Sequence, residues 1–272
     1  MNGRRAVVGL CMLCALLVSA FAAQSASAIS GTTAFTCVNV GAGNGAFSDD
    51  HCKTTEANGT YKHETISDTL TTELTGNNNG ESTKLKATVA GAATTLVATG
   101  LSGTGTMQNK VAGSGEHYGH GEGTINYTGV TVSGFSGKCH VFKDVAGAIG
   151  TKGAVDTETL TATTEGQGHL LKFTPKSGEV FARFWILDAA EKTSAQGGEC
   201  NIGATYTVTG SVKGTVNGAT TTTTHADTTT QNTLKMGSEV GNKAGLEGTL
   251  ALESRANSGE SYKPLSATTV TT

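Results

Sequence analysis

Charge is what this sequence has least of. Asp, Glu, Lys and Arg together make up 15% of its residues and the formal net charge is −3. It therefore offers no basic surface for nucleic acid and no polybasic segment for anionic lipid. Aromatic residues are scarce as well, at 5% with a single Trp, which argues against a rich stacking surface. After position 28 no long segment repeats its apolar residues with a helical period, so only short helical turns are expected. No fixed internal repeat runs along the chain, which counts against a β-solenoid.

Gly and Thr fill the space instead, with 38 Gly and 47 Thr against two Pro. β-Branched residues favour the pleated surface of a sheet, and Gly clusters cut it into strands and turns. The segment "TYTVTGSVKGTV" at 205–216 places Tyr206, Val208, Gly210, Val212, Gly214 and Val216 on one face and Thr, Ser and Lys on the other. Such alternation marks a half-buried strand of an antiparallel sheet. Strands are also expected from Thr83, Ala93, Gly123, Glu158, His169 and Gly248. In the segment from Gly123 the apolar phase slips at Thr128-Gly129, as at a β-bulge or a strand crossing a sheet corner. "EVFARFWILD" at 179–188 is apolar on both faces, which suits a central strand covered on both sides. The Thr-rich segment 219–233 reads as a polar hairpin and the tail after Pro264 as a frayed end. The expected fold is all-β, an antiparallel β-sandwich or flattened β-barrel with a small disulfide-closed N-terminal unit. A β-solenoid, suggested by strings such as "GLSGTGTMQNK", is the alternative.

The first 28 residues carry Arg4 and Arg5, an apolar run from Ala6 to about Ala23, and Ala26-Ser27-Ala28. A basic start, an apolar middle and an A-x-A ending form a signal peptide, with cleavage expected after Ala28. Residues 29–75 are then assigned to the small N-terminal unit and 76–272 to the main β domain. No lipid anchor or membrane span is expected after cleavage, and the protein is placed outside the cell or at its surface.

Removing the leader leaves Cys37, Cys52, Cys139 and Cys200. An even number in an exported chain reads as two disulfides. Three pairings are possible, and Cys37 with Cys52 and Cys139 with Cys200 is favoured because the first pair is local and the second lies within the larger body of the chain. Loop entropy gives about 3 kcal/mol for the first and roughly 4 kcal/mol for the second as upper expectations. A zinc site at Cys37 and Cys52 would want C-x2-4-C spacing and a second ligand pair. The neighbouring Asp49, Asp50 and His51 do not follow the alternating oxygen ligands of a calcium loop, so the carboxylates read as turn-forming.

The densest cluster of ligand-type residues is "GEHYGHGE" at 115–122. Glu116, His117, His120 and Glu122 could hold a divalent metal, since a strand turns His120 and Glu122 to one side, with Glu116 beside them, and His117 to the other. The order is not that of a helical metalloprotease motif, and a polar surface hairpin is the plainer reading. No nucleophile elbow and no phosphate loop occurs, and His63, His140, His169 and His225 nominate no triad by spacing. No cofactor is implied. Trp185, Phe184, Tyr118 and Tyr127 are the candidate stacking residues for a glycan.

The strings "FTCVNV", "GAFSDDHC" and "NGTYKHE", with "SGTGTMQNK", "GKCHV" and "VTGSVKGTVNG" later on, resemble uncharacterised secreted Gly/Thr-rich all-β proteins of soil actinobacteria. The resemblance covers most of the chain after the leader and rests on Thr and Gly. It implies an exported β protein and supplies no catalytic residues. The expected function is a secreted or envelope-associated structural or binding protein, with cell-wall or other polysaccharide as its partner. The alternatives are a secreted hydrolase with a site assembled from distant residues and a binder of a small apolar ligand. Oligomeric state is not readable from the chain.

Overall fold

A computed structural model of the chain describes residues 31–49, 52, 54–66, 72–113, 115–134, 138–165, 170–188, 200–217, 220–223, 233–237, 242–255, 259 and 261–270. The leader at 1–28 lies outside them, as do Asp50, His51, His169, His225 and most of the Thr-rich segment 219–233. Among the described residues every regular element is a strand. The N-terminal part holds β1 (Gly31–Asn39), β2 (Gly45–Phe47), β3 (Thr55–Gly59), β4 (Tyr61–Thr65), β5 (Thr72–Asn77), β6 (Thr83–Val89) and β7 (Ala92–Ala98). The centre holds β8 (Gly100–Val111), β9 (His117–Thr128), β10 (Thr131–Ser133), β11 (Cys139–Val145), β12 (Ala148–Lys152), β13 (Ala154–Asp156), β14 (Leu160–Glu165) and β15 (Leu170–Pro175). Then follow β16 (Val180–Asp188), β17 (Ala204–Thr209), β18 (Val212–Asn217), β19 (Thr220–Thr223), β20 (Lys235–Gly237), β21 (Asn242–Arg255) and β22 (Lys263–Val270).

These strands form one large curled sheet, antiparallel among the described residues apart from a parallel pairing of Thr32 with Tyr118. Partner by partner the pairings run β8, β9, β14, β15, β18, β19, β21, β5 and back to β8, a closed ring of eight strands. Strict alternation sends Leu101, Met107, Ile125, Leu160, Leu171, Phe173, Leu250 and Leu252 inward, where they are buried. Each such side chain contributes about 1.5–3 kcal/mol by leaving water. Antiparallel pairing of neighbouring segments overturns the solenoid alternative, which needs stacked parallel coils.

A second circuit shares β21. Its first residues pair with β6, and the sequence continues through β7 to β10. The amide of Val130, just before β10, donates to Gly153 O at 2.9 Å, and the amide of Gly153 donates to Val141 O of β11 at 2.7 Å. From β11 the pairings return through β16, β17 and β20 to β21. The barrel thus has two tiers, and β21 changes neighbours between Glu247 and Gly248. On its inner face a Cβ at Gly248 would lie 2.8 Å from Thr83 Oγ1 and 3.1 Å from Thr83 Cα. Only a residue without a side chain lets β6 start there.

The run 205–216 and the tail after Pro264 depart from what was expected, whereas the slip at Thr128-Gly129 is the expected corner. The run 205–216 is cut at Gly210, whose φ is +99°, so β17 joins the second circuit and β18 the first. The phase slip at Thr128-Gly129 is a corner of the same kind, separating β9 from β10, with Gly129 at φ +61°. The tail after Pro264 is not frayed, because Gly31 to Thr36 pair with Val270 to Leu265.

β1 to β4 pair with one another in the same sheet as the ring, and β1 also pairs with β22 and meets β9. β5, which follows them, is a strand of the ring. Asn109, buried at the end of β8, accepts from Ala34 N at 2.9 Å and donates to Ala34 O at 2.9 Å and Ile66 O at 2.8 Å. Its amide thereby imitates one residue of a neighbouring strand and satisfies buried backbone groups. Ala34 settles over Gly119, where an added Cβ would lie 3.2 Å from Ala34 Cβ.

Substituting Gly248→Ala is expected to lower stability in urea by about 1–3 kcal/mol through overpacking. Adding Thr83→Ala removes the opposing Oγ1 and should restore part of that stability. A double-mutant cycle with no coupling between the two positions would refute the packing of Gly248 against Thr83.

Candidate functional site

Both expected disulfides are present. Cys37 and Cys52 are bonded with a Cα–Cα distance of 5.7 Å, and Cys139 and Cys200 with 4.9 Å. Cys139, Cys200 and Cys37 are buried, so these are internal staples, compatible with an oxidising compartment. Beside the first, Asp49 Oδ2 accepts from Thr54 N at 2.7 Å and Asp49 O from Cys52 N at 3.1 Å. Asp49 is thus the turn-forming residue that its position suggested.

The cluster at 116–122 does not assemble as a metal centre. Glu116 sits in the turn ahead of β9, where Ala112 N donates to Glu116 O at 2.8 Å. His117 belongs to the opposite face from Tyr118, His120 and Glu122. Among the described residues no three of His, Cys, Asp and Glu converge as a metal site. Lysines occupy the surroundings instead. Lys176 Nζ lies 2.5 Å from Glu122 Oε2, and His120 Nε2 lies 3.9 Å from Glu122 Oε1. The Lys176 hydrogen bond holds the Glu122 carboxyl below its ordinary range. Burial, then the charge of Lys110, keeps the His120 imidazole below its ordinary value, against a smaller opposing pull from Glu122. A dication would have to displace an ammonium group to enter.

The four candidate stacking residues do not share a surface. Phe184 is 1% exposed and stacks on Tyr206 with centroids 6.0 Å apart inside the barrel. Tyr127 is also interior, and burial pushes its hydroxyl pKa up. Trp185 is on the other face of β16, half-buried. Tyr118 alone joins the outer face of β9, edge-on to His120 at 6.3 Å. Strand alternation decides this: Phe184 and Tyr127 hold inward positions. β16 lies between β11 and β17 and buries Phe181, Ala182, Phe184, Ile186 and Leu187, while Arg183 on its other face is exposed and Trp185 half-buried, so the cover expected on both sides is only partial.

Inside the barrel three apolar cavities follow one another, with volumes of about 50, 20 and 40 Å³. Tyr127, Phe181 and Leu246 line the first two, and Ile125, Phe173 and Leu250 the last two. Space of this size takes a few water molecules, far below the roughly 300 Å³ of a drug-sized ligand site. These spaces are gaps in a packed apolar interior.

On the outside of the ring the strand register aligns polar side chains in rows. Thr75, Thr104 and Thr124 form one, and Asn77, Ser102 and Asn126 another. A third contains Thr106, Glu122, Thr161 and Thr174. Beside them lies a row with His120, Thr163, Lys172 and Lys213. The residues of these rows are far apart in sequence. Each was readable as the polar phase of its own strand, but its neighbours were not. No protein-family model, characterised protein or solved structure matches this chain. The fold and site define it as an antiparallel β-barrel protein with a stapled core and a polar outer face.

Zinc titrated into the protein by calorimetry is expected to give no binding near micromolar concentration, and a stoichiometric heat would restore the Glu116–Glu122 site. For His63, His120 and His140, burial is the main cause that lowers the folded pKa below the ordinary 6.5. The unfolded chain then takes up protons first, so their contribution is full above about 6.5 and is lost as pH falls below it. Tm should drop between about pH 7.5 and 5.5, and replacing all three with Gln should flatten that drop.

Proposed function

We propose that this protein is a non-catalytic module, exported from the cell, that contacts cell-wall or other extracellular polysaccharide through the outer face of its barrel. The observation that carries the reading is the set of hydroxyl and amide rows on β5, β8, β9, β14 and β15. Threonine side chains in a sheet have restricted rotamers, so an array of them meets a hydroxyl-rich polymer with little loss of conformational entropy. The two disulfides and the filled interior keep that array rigid. An all-β chain with a leader of signal-peptide type and two disulfides fits an extracellular address.

The polarity of the two faces also bears on the membrane. Among the described residues no helix is long and apolar enough to cross one. The ring buries Leu, Met and Phe inside and turns Thr, Lys, His and Glu outside, the reverse of a membrane-spanning β-barrel.

The test is co-sedimentation of the purified protein with cell walls and with insoluble glycans such as cellulose and chitin. The protein is expected in the pellet, and Thr104→Ala with Thr124→Ala should reduce the retained fraction severalfold at unchanged Tm. Recovery wholly in the supernatant with every polymer would remove the proposal.

A further inference from the structure

Among the described residues two large apolar side chains stand exposed, Val111 and Val145. Val111 ends β8, which has a wall partner on each edge, β5 and β9. Val145 is placed differently. It ends β11 at the tip of a hairpin whose second strand, β12, pairs with β11 alone among the described strands. β11 follows β16 as far as the pair of Lys143 with Phe184, and beyond that level Thr157, just after β13, takes the place beside Ala182 of β16. The hairpin therefore leaves the wall near Lys143 and projects as an arm with one open edge.

The arm is held in shape. Ala146 and Gly147 both have positive φ, +52° and +87°, as in the two-residue turn whose twist matches that of paired strands. Asp144 Oδ1 accepts from Gly147 N at 2.7 Å across the turn, and Lys143 pairs with Asp156 of β13 at the base. The same four residues, Val-Ala-Gly-Ala, close the β6–β7 hairpin, where Ala90 and Gly91 also have positive φ. There Val89 is packed into the core and 5% exposed, whereas Val145 is 50% exposed. One hairpin buries its apolar end, and the other presents Val145, Ala146 and Ala148 to solvent.

An open strand edge is a template for another strand, and folded proteins blunt it with charge, Pro or a cover. β12 reads Ala148-Ile149-Gly150-Thr151-Lys152, with no Pro and one charge, at its last residue. We propose that the arms of two copies of this chain pair edge to edge through β12, antiparallel about a two-fold axis, so that one sheet continues across a dimer. A two-fold contact uses the same patch on both subunits. Centred on Gly150, it sets Lys152 opposite Ala148 and Ile149 opposite Thr151, so no like charges meet, and each Ala148 packs on the aliphatic stem of a lysine. Main-chain hydrogen bonds supply the affinity, as in strand addition generally. The inference is independent of the polysaccharide reading, although a dimer offers one polymer two barrels and the avidity that follows.

The experiment is sedimentation equilibrium of the disulfide-bonded protein from micromolar to near-millimolar concentration. A monomer–dimer equilibrium is expected with a Kd of about 10 μM, the range of small, transient interfaces. Ile149→Lys combined with Thr151→Lys sets lysines against each other twice in the dimer and should raise that Kd about tenfold or more. Ile149→Lys combined with Thr151→Glu sets Lys against Glu and should return it to near the native value. Both variants charge the same two positions of the arm, so damage to the hairpin alone would weaken association equally in the two. A protein that stays monomeric throughout the range, or a dimer on which the two variants act alike, would overturn the inference and leave the polysaccharide reading untouched.

Discussion

One strand holds the two circuits together. β21 runs from Asn242 to Arg255 and keeps a single alternation, with Ala244, Leu246, Gly248, Leu250, Leu252 and Ser254 facing inward. Its neighbours change midway, from β6 and β20 to β5 and β19. The change requires β6 to begin against the backbone of β21, which is why the inward position there is Gly248 beneath Thr83. If Thr83 could not seat on Gly248, the register of both circuits would be free to slip, and a one-residue slip exchanges the inner and outer faces of a strand.

The closed wall also dictates where polar atoms go. Inside, Asn109 and Thr164 are buried because they satisfy backbone groups: Asn109 those of Ala34 and Ile66, and Thr164 Oγ1 that of Gly119 N at 2.6 Å. Outside, cross-strand pairs carry the ionic contacts. Arg255 reaches Glu73 at 2.8 Å and covers the ring of Tyr262 at 4.6 Å, while Glu247 lies 2.8 Å from Lys86. Such half-exposed pairs add little stability each but leave the outer face evenly polar.

Much of the fold was legible. Alternation in "TKLKATV", "HLLKFTP" and "GTLALES" identified β6, β15 and the end of β21, and the slip at Thr128-Gly129 marked a true corner. The break at Gly210 was not legible, since alternation continues in phase through it and only the positive φ and the change of partner reveal it. The tail after Pro264 read as loose because Thr and Ser there have no apolar phase, yet pairing with β1 supplies its hydrogen bonds. For the candidate site the difference is sharper. Strand alternation already separated His117 from His120 within 116–122 and made a polar hairpin the plainer reading there, but the lysines from β8 and the turn after β15 that surround His120 and Glu122 arrive from elsewhere.

The sequence by itself determined the all-β class, the polar and apolar phase of most strands, and that two disulfides form, because these follow from local alternation and from cysteine number; which of the three pairings was made, the structure decided. Tertiary structure alone decided which polar faces became neighbours. Phe184 and Tyr127, plausible as exposed aromatics in one dimension, were drawn into the core by the closure of the wall. Lys172 and Lys213, ordinary in their own segments, were brought side by side. Register between strands distant in sequence is set by the packing of the whole barrel, and no local pattern encodes it.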